Sequence, residues 1–497
     1  MSINSLSTPP TSAMPVVQLS VLHRLEHRKP SAEYRAWVDG EEAYVFNQTG
    51  FAGGTMSWIY LDLHQPVTIH VQPHRMVDEV RVLPRRCQIA ATIHNNGVTL
   101  RIEKPGSYQL EWDQNLELPF FIFARPPESA TSGLLAAPAS ASESSTDGTA
   151  TGKRISFEPG EHCVGRIVLN SGDELHLASG AEVYGAIYAK DATNIRITGR
   201  GTLRQSHLRF GGRGDERHPI ELIGCRDVLI EGIMVIEGCT WNVVFRDCDR
   251  VHVRHITVLS ERPYSTDGIN PCDSREVLVE HCFIRCKDDC ISIKGMQRNV
   301  PLEALKPIHD IEVRDCVFWS DNNNGLVVGT ETWASEISHI YLHRIDFIRV
   351  TGTCGDWAAA FAVQALADTH IHNIVFEDIE VEYCTGNPFA IFYLDVVYGI
   401  PGQRRKTGAL MEKITFRNIT FHTPVKRRSI IKGMNDLCLV KNVTFAGISN
   451  GGKAVQGADD LRLQTNEFAE AIHFDEESTE FRYSTIAVEN IPLFPSV

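Results

Sequence analysis

The stretch Val251-His-Val-Arg-His-Ile-Thr-Val258 decides the fold. Its apolar residues stand at offsets 0, 2, 5 and 7, so two short strands each alternate in and out, and the phase slips once between them. The same spacing recurs upstream in Val228, Ile230, Ile233 and Val235. Downstream it recurs in Val277, Val279, Cys282 and Ile284, then in Ile311, Val313, Cys316 and Phe318, then in Ile340, Leu342, Ile345 and Phe347. Three further units begin at Ile374, Ile414 and Cys438. The gaps between first positions are 23, 26, 34, 29, 34, 40 and 24 residues. A unit this short cannot bury its inner face alone, so successive units must stack into a β-solenoid. The uneven gaps put insertions on one side of the stack, where they would wall a cleft.

Outward from the repeat the texture changes twice. Val17–Val21, Ile59–Leu63, Val67–Val71 and Val98–Ile102 alternate with period two, and turn signals such as Asn95-Asn-Gly97 and Pro105-Gly106 separate them. That spacing predicts a β-sandwich over residues 16–125, after a flexible lead over 1–15. Residues 126–153 are rich in Pro, Ser, Ala and Thr and read as a linker. The solenoid is expected over 154–497, its end past Gly451 covering an otherwise open sheet edge.

The chain has 497 residues, 43% of them hydrophobic and 22% charged, with a formal net charge of −14. That balance argues against nucleic acid or an anionic membrane as the main partner. No apolar run is long enough to span a bilayer, and Met1–Gln18 has no signal-peptide pattern, so a cytoplasmic protein is expected unless a leader was removed. Thirteen cysteines without such a leader read as thiols. Cys282, Cys286 and Cys290 lie four apart but lack a second ligand motif, and they suit a solenoid interior better than a metal site. No metal or other cofactor is expected, and the sequence is silent on oligomeric state.

Two segments carry the chemistry: Tyr264-Ser-Thr-Asp-Gly-Ile-Asn270 and Arg285-Cys-Lys-Asp-Asp-Cys290. Asp267 precedes Asp288 by 21 residues, about one coil. One coil rises by one strand spacing, roughly 4.8 Å, so Asp267 is expected beneath Asp288 and Asp289. Three carboxyls that close raise one another's pKa, which is how one stays protonated as a general acid beside an ionised base.

These motifs, Ser265-Thr-Asp-Gly268 and Asp288-Asp-Cys-Ile-Ser-Ile293 with Trp241-Asn-Val-Val ahead of them, resemble the pectinase-like right-handed parallel β-helix glycoside hydrolases. These include the polygalacturonases of family 28 and the dextranases of family 49. The resemblance covers about residues 155–450 and implies an inverting hydrolysis of α-glycosidic bonds. On the family's pattern Asp288 protonates the glycosidic oxygen, and Asp267 and Asp289 hold and deprotonate the attacking water. Three departures stand out. Ser265 replaces the usual Asn, the stretch Asn322-Asn-Asn-Gly-Leu-Val-Val-Gly329 lacks the Gly-His-Gly of polygalacturonases, and Phe361-Ala-Val-Gln364 carries no cation where they grip a uronate. A desolvated carboxylate needs a cationic partner, so a neutral poly- or oligosaccharide is the expected substrate.

Trp241, Asn323, Asn324, Glu331, Trp333, Gln364 and Tyr393 are the expected substrate contacts. The aromatics would stack on sugar rings, and the amides would bond hydroxyls. Trp357, Tyr398, Asp356 and Asp395 lie near the same face, and Lys287 and Lys294 flank the acids and would tune their charge. The alternatives are a polygalacturonase, a uronate lyase or epimerase on the same fold, and a non-catalytic carbohydrate-binding solenoid.

Overall fold

The structure is a computed structural model that describes residues 21–25, 28–49, 55–95, 97–128, 152–208, 217–262, 265–397, 400–401 and 408–475. The expected flexible lead, most of the expected linker, Tyr264 and Tyr398 lie outside the described residues. Among the described residues, no helix is long and apolar enough to cross a membrane.

From Arg154–Phe157 to Ala469–Asp475, 29 strands join in sequence order into one almost wholly parallel sheet, wound as a right-handed parallel β-helix. In the middle of the stack a coil takes three strands. Arg226–Glu231, Met234–Ile236 and Val243–Arg246 form one coil. Asp249–Arg254, Thr257–Ser260 and Ile269–Cys272 form the next.

The repeat read from sequence is the register of the stack. Val228 pairs with Val251, and the column continues through Val277, Ile311, Ile340, Ile374 and Ile414. The side chains at offsets 0, 2, 5 and 7 of these units are at most 1% exposed and form one apolar core. Eight of the cysteines, Cys282, Cys286 and Cys290 among them, belong to that core as free thiols.

The unit expected at Cys438 is corrected. Ile414 pairs with Val443, so the last unit is Val443, Phe445 and Ile448. Cys438-Leu-Val440 and Val443-Thr-Phe445 are consecutive apolar pairs, and spacing alone does not say which opens a unit. Register also adds an earlier coil, because Ile195 pairs with Val228.

The phase slip has a backbone cause. The residue at offset 4 has positive φ in every coil: Gly232 (+82°), His255 (+57°), His281 (+54°), Asp315 (+53°), Arg344 (+49°), Asp378 (+52°), Asn418 (+53°) and Gly447 (+64°). A second column precedes offset 0, where Asp227, Arg250, Glu276, Asp310, His339, Asn373, Lys413 and Asn442 have φ between +52° and +57°. Each non-glycine residue in this region costs roughly 1–2 kcal/mol, and neighbouring coils supply the compensation. Arg344 forks onto Asp315 with both bonds at 2.8 Å, and Asn418 Nδ2 donates to Asp378 Oδ1 at 2.9 Å. The His255 and His281 rings stack at 5.0 Å and 6°.

The N-terminal part is a sandwich. A six-stranded sheet containing Thr55–Asp62, Gly106–Trp112 and Asn115–Arg125 faces a five-stranded sheet containing Tyr34–Val38, Val67–Pro73 and Gly97–Ile102. Ile59, Leu61, Ile69, Leu100, Trp112 and Phe120 fill the space between them. Phe120-Phe-Ile-Phe123 is apolar throughout because both faces of its sheet are covered. The outer face places Phe121 and Phe123 on Phe283, each at 5.0 Å, and Phe121 on Trp319 at 6.1 Å. The sandwich thus packs on the second strands of the coils. The candidate site lies at the start of the third strands.

Candidate active site

The loops that lead into the third strands bring the acids together. Ile269 pairs with Ile291, a register of one coil that sets Asp267 in line with Asp289 rather than Asp288. The backbone confirms the alignment, since Gly268 N–H donates to Asp289 O at 2.8 Å. Asp288 is turned toward the open side and is partly exposed, whereas Asp267 and Asp289 are 1% and 3% exposed.

Each carboxyl has its own holders. Asp288 accepts the Ser265 backbone N–H at 2.9 Å, Asn323 Nδ2 at 2.6 Å and the Asp289 N–H at 3.1 Å. Asp289 Oδ1 accepts both the backbone N–H and the Nδ2 of Asn324, at 3.1 and 2.9 Å, and its Oδ2 accepts the Ser292 hydroxyl at 3.2 Å. Asp267 Oδ2 accepts Asn270 Nδ2 at 2.7 Å.

Lys294 flanks the acids in sequence, and the structure puts it at their centre. Its ammonium lies 3.3 Å from Asp267, 3.3 Å from Glu331 and 3.9 Å from Asp289, and 4.5 Å from the centre of the Trp241 ring. A signal was present: Ile291 and Ile293 point inward, so Ser292 and Lys294 share the outer face with the acids. What sequence could not supply was the pairing of this strand with the one carrying Glu331.

The electrostatics follow from burial. Desolvation pushes Asp289 from 3.8 up to about 7, with Asp288 adding to the rise and Lys294 opposing it. Desolvation also holds Asp267 well above the carboxylate range, against the pull of Lys294 and with the push of Asp288 and Asp289. Burial works to lower the Lys294 pKa, but Glu331, Asp267 and Asp289 outweigh it, so the ammonium is held well above its ordinary value. Lys294 therefore stays charged, and the trio retains a proton near neutrality.

The expected substrate contacts divide. Trp241 is partly exposed, with His218 stacked on it at 5.8 Å and Arg246 at 5.6 Å. His218 is held neutral, pushed down to about 4 by burial. Asn323, Asn324 and Glu331 are at the site, but they hold Asp288, Asp289 and Lys294 rather than open space.

Three of the expected contacts are buried. Trp333 is packed against Leu366, Ala367 and Leu394. Tyr393 is 6% exposed, lies in the helix core and donates its hydroxyl to Leu439 O at 3.3 Å. Gln364 is fully buried and donates to Trp357 O at 2.5 Å. Trp357 is partly exposed, and Asp356 pairs with Arg428 at 2.5 Å.

Comparison with known proteins agrees with the architecture. A polygalacturonase of Arabidopsis thaliana is 23% identical over 283 residues, 53% of this chain and 57% of that protein. A probable polygalacturonase of Vitis vinifera is 29% identical over 154 residues, 29% of this chain and 31% of that protein. The chain thus spans about three-fifths or less of these relatives' own length. Among solved structures, Dex49A from Penicillium minioluteum superposes with a TM-score of 0.60 at 13% identity, covering 89% of this chain and 94% of that one. A hyperthermoactive exopolygalacturonase from Thermotoga maritima gives 0.51 at 18% identity, covering 65% and 84%. Both show the fold. The family model for glycosyl hydrolases family 28 matches residues 212–461, which is half of the chain and includes every residue of the carboxylate cluster, and the chain belongs to that family.

Proposed function

We propose that this protein hydrolyses a glycosidic bond in a poly- or oligosaccharide with inversion at the anomeric carbon. The single observation that carries this reading is the division of the trio. One carboxyl, Asp288, faces the open side, and two others, Asp267 and Asp289, lie behind it around the Lys294 ammonium. Asp288, the carboxyl on the open side, passes the proton that the coupled trio retains to the leaving oxygen. Asp267 and Asp289 hold a water and take its proton as it attacks. Lys294 steadies the carboxylate that forms, and Asn323 and Asn324 fix the rotamers of the acids they bond. Replacing Asp288 with Asn tests this directly, because an amide cannot release a proton to a leaving group. Turnover is expected to fall by about a hundredfold or more with substrate binding largely kept, and near-native activity would sink the assignment. Proton NMR of the first-formed anomer tests inversion.

A neutral glycan is the preferred substrate. Phe361-Ala-Val-Gln364 carries no cation, and the Lys294 ammonium is already shared by Asp267, Asp289 and Glu331, so neither offers a free partner to a uronate carboxylate. Polygalacturonate is the second reading. It is favoured by the names of the relatives and by Arg428, Arg427 and Lys432, which hold the Asp356 carboxyl below its usual range in the loop that also bonds Asn322. Reducing-end release from neutral glucans and galactans, set against polygalacturonate, separates the two.

A further inference from the structure

A second site lies at the junction of the sandwich and the β-helix. A groove of about 730 Å³ runs between sandwich residues 84–90 and 101–108 and the coil corners at His255, His281, Asp315 and Arg344. That volume is in the range of small-ligand pockets. None of the candidate catalytic carboxyls lines it.

Its charge is opposite to that of the whole chain. Five lining side chains are cationic, namely Arg86, Arg101, Lys104, Arg125 and Arg344, against the acids Glu103, Asp315 and Asp346, in a chain of net charge −14. Three of the cations are matched: Arg86 to Asp346 at 2.9 Å, Arg101 to Glu103 at 3.3 Å and Arg344 to Asp315 at 2.8 Å. Lys104, on the exposed rim, and Arg125, at the bottom, have no carboxylate partner among the described residues.

Arg125 is the telling residue, since it is only 1% exposed. Its guanidinium donates to Thr257 Oγ1 at 2.6 Å, Ser107 Oγ at 3.0 Å and Gly106 O at 3.4 Å, interacts with the Tyr60 hydroxyl and lies 5.3 Å from the centre of the Phe123 ring, all of them neutral groups. A buried cation without a counter-ion is costly, and a fixed guanidinium fork is the group that best matches a carboxylate or phosphate. The neighbouring His255 ring offers no compensation. Burial, with Arg125 adding to it, pushes it down to about 2, so it stands neutral beside the guanidinium.

We propose that this junction groove binds a small oxyanion-bearing solute, an acidic sugar or inorganic phosphate, on the Arg125 guanidinium with Lys104 at its mouth. The bound anion would bridge the sandwich and the helix and tie them together. This inference stands apart from the hydrolytic reading, because it involves none of the same residues.

The test titrates the described protein, as the full chain, with galacturonate, inorganic phosphate and glucose at constant ionic strength, following Tm and heat of binding. At least one of the two anions is expected to bind saturably and raise Tm, and glucose to do neither. Both anions binding assigns recognition to the oxyanion alone, and galacturonate alone assigns it to the acid on its sugar ring. Arg125→Met is expected to abolish binding. Lys104→Glu reverses a rim charge without touching the core, and it is expected to weaken binding by about tenfold. If Arg125→Met fails to fold, Lys104→Glu decides. Absence of saturable binding by either anion to the wild type, or an unchanged affinity in Lys104→Glu, would overturn the proposal.

Discussion

Asp289→Asn is expected to stabilise the protein while stopping turnover, with a gain that grows with pH. The reasoning starts from a carboxyl moved by burial from 3.8 to about 7. A raised carboxyl holds its proton more tightly in the folded protein than in the unfolded chain. Between those two values the folded state binds more protons, so stability falls as pH rises across the window and is level above it. A shift of about three units corresponds to about 4 kcal/mol, and the opposing pull of Lys294 is already part of that net value. Asparagine has the same shape and no proton to lose. Its oxygen can keep both bonds from Asn324, and the Ser292 hydroxyl can turn to accept from the new amide. The variant should therefore match the wild type near pH 4 and exceed it by about 2–4 kcal/mol above pH 7. Urea denaturation of both proteins at several pH values between these limits measures the difference. A variant less stable than the wild type at about pH 8 would refute the argument, because Asp289 would then be an ionised partner that Lys294 needs rather than an acid strained by desolvation.

Other perturbations separate the parts of the site. Lys294→Met leaves Asp267, Asp289 and Glu331 without their shared cation, and it is expected to cost about 3–5 kcal/mol near neutral pH and less in acid, as read by denaturation at two pH values. If Asp289 must be ionised to take the water's proton, kcat/KM should fall as pH drops through about 7. A profile flat from about pH 5 to 8 would remove Asp289 from that role. At the domain junction, Phe283→Ala removes the ring under Phe121 and Phe123 and is expected to cost about 3–5 kcal/mol, with a separate early unfolding transition for the sandwich in calorimetry.

Much of the architecture was legible because it is written in side-chain period. Val228, Val251, Val277 and their successors face inward at fixed offsets, and only stacking can bury them. The slip between paired strands was visible as a spacing, but not as a conformation. Its corner residues include His and Arg beside Asn, Asp and Gly, so residue type alone does not mark the positive φ. The error at Cys438 has the same origin. An apolar pair looks alike on either side of a bend, and only backbone pairing with Ile414 tells which is which.

The candidate site divides along the same line. By itself the sequence determined that Asp267, Asp288 and Asp289 come within a coil of one another, since chain length per turn and strand spacing are local properties. Which of the acids faces outward, the place of Lys294 among Asp267, Asp289 and Glu331, and the burial of Trp333, Gln364 and Tyr393 were decided only by tertiary structure. Those outcomes depend on loops of unequal length and on which neighbouring coil covers a side chain. Coverage of that kind is a property of packing between distant segments, and no local pattern encodes it.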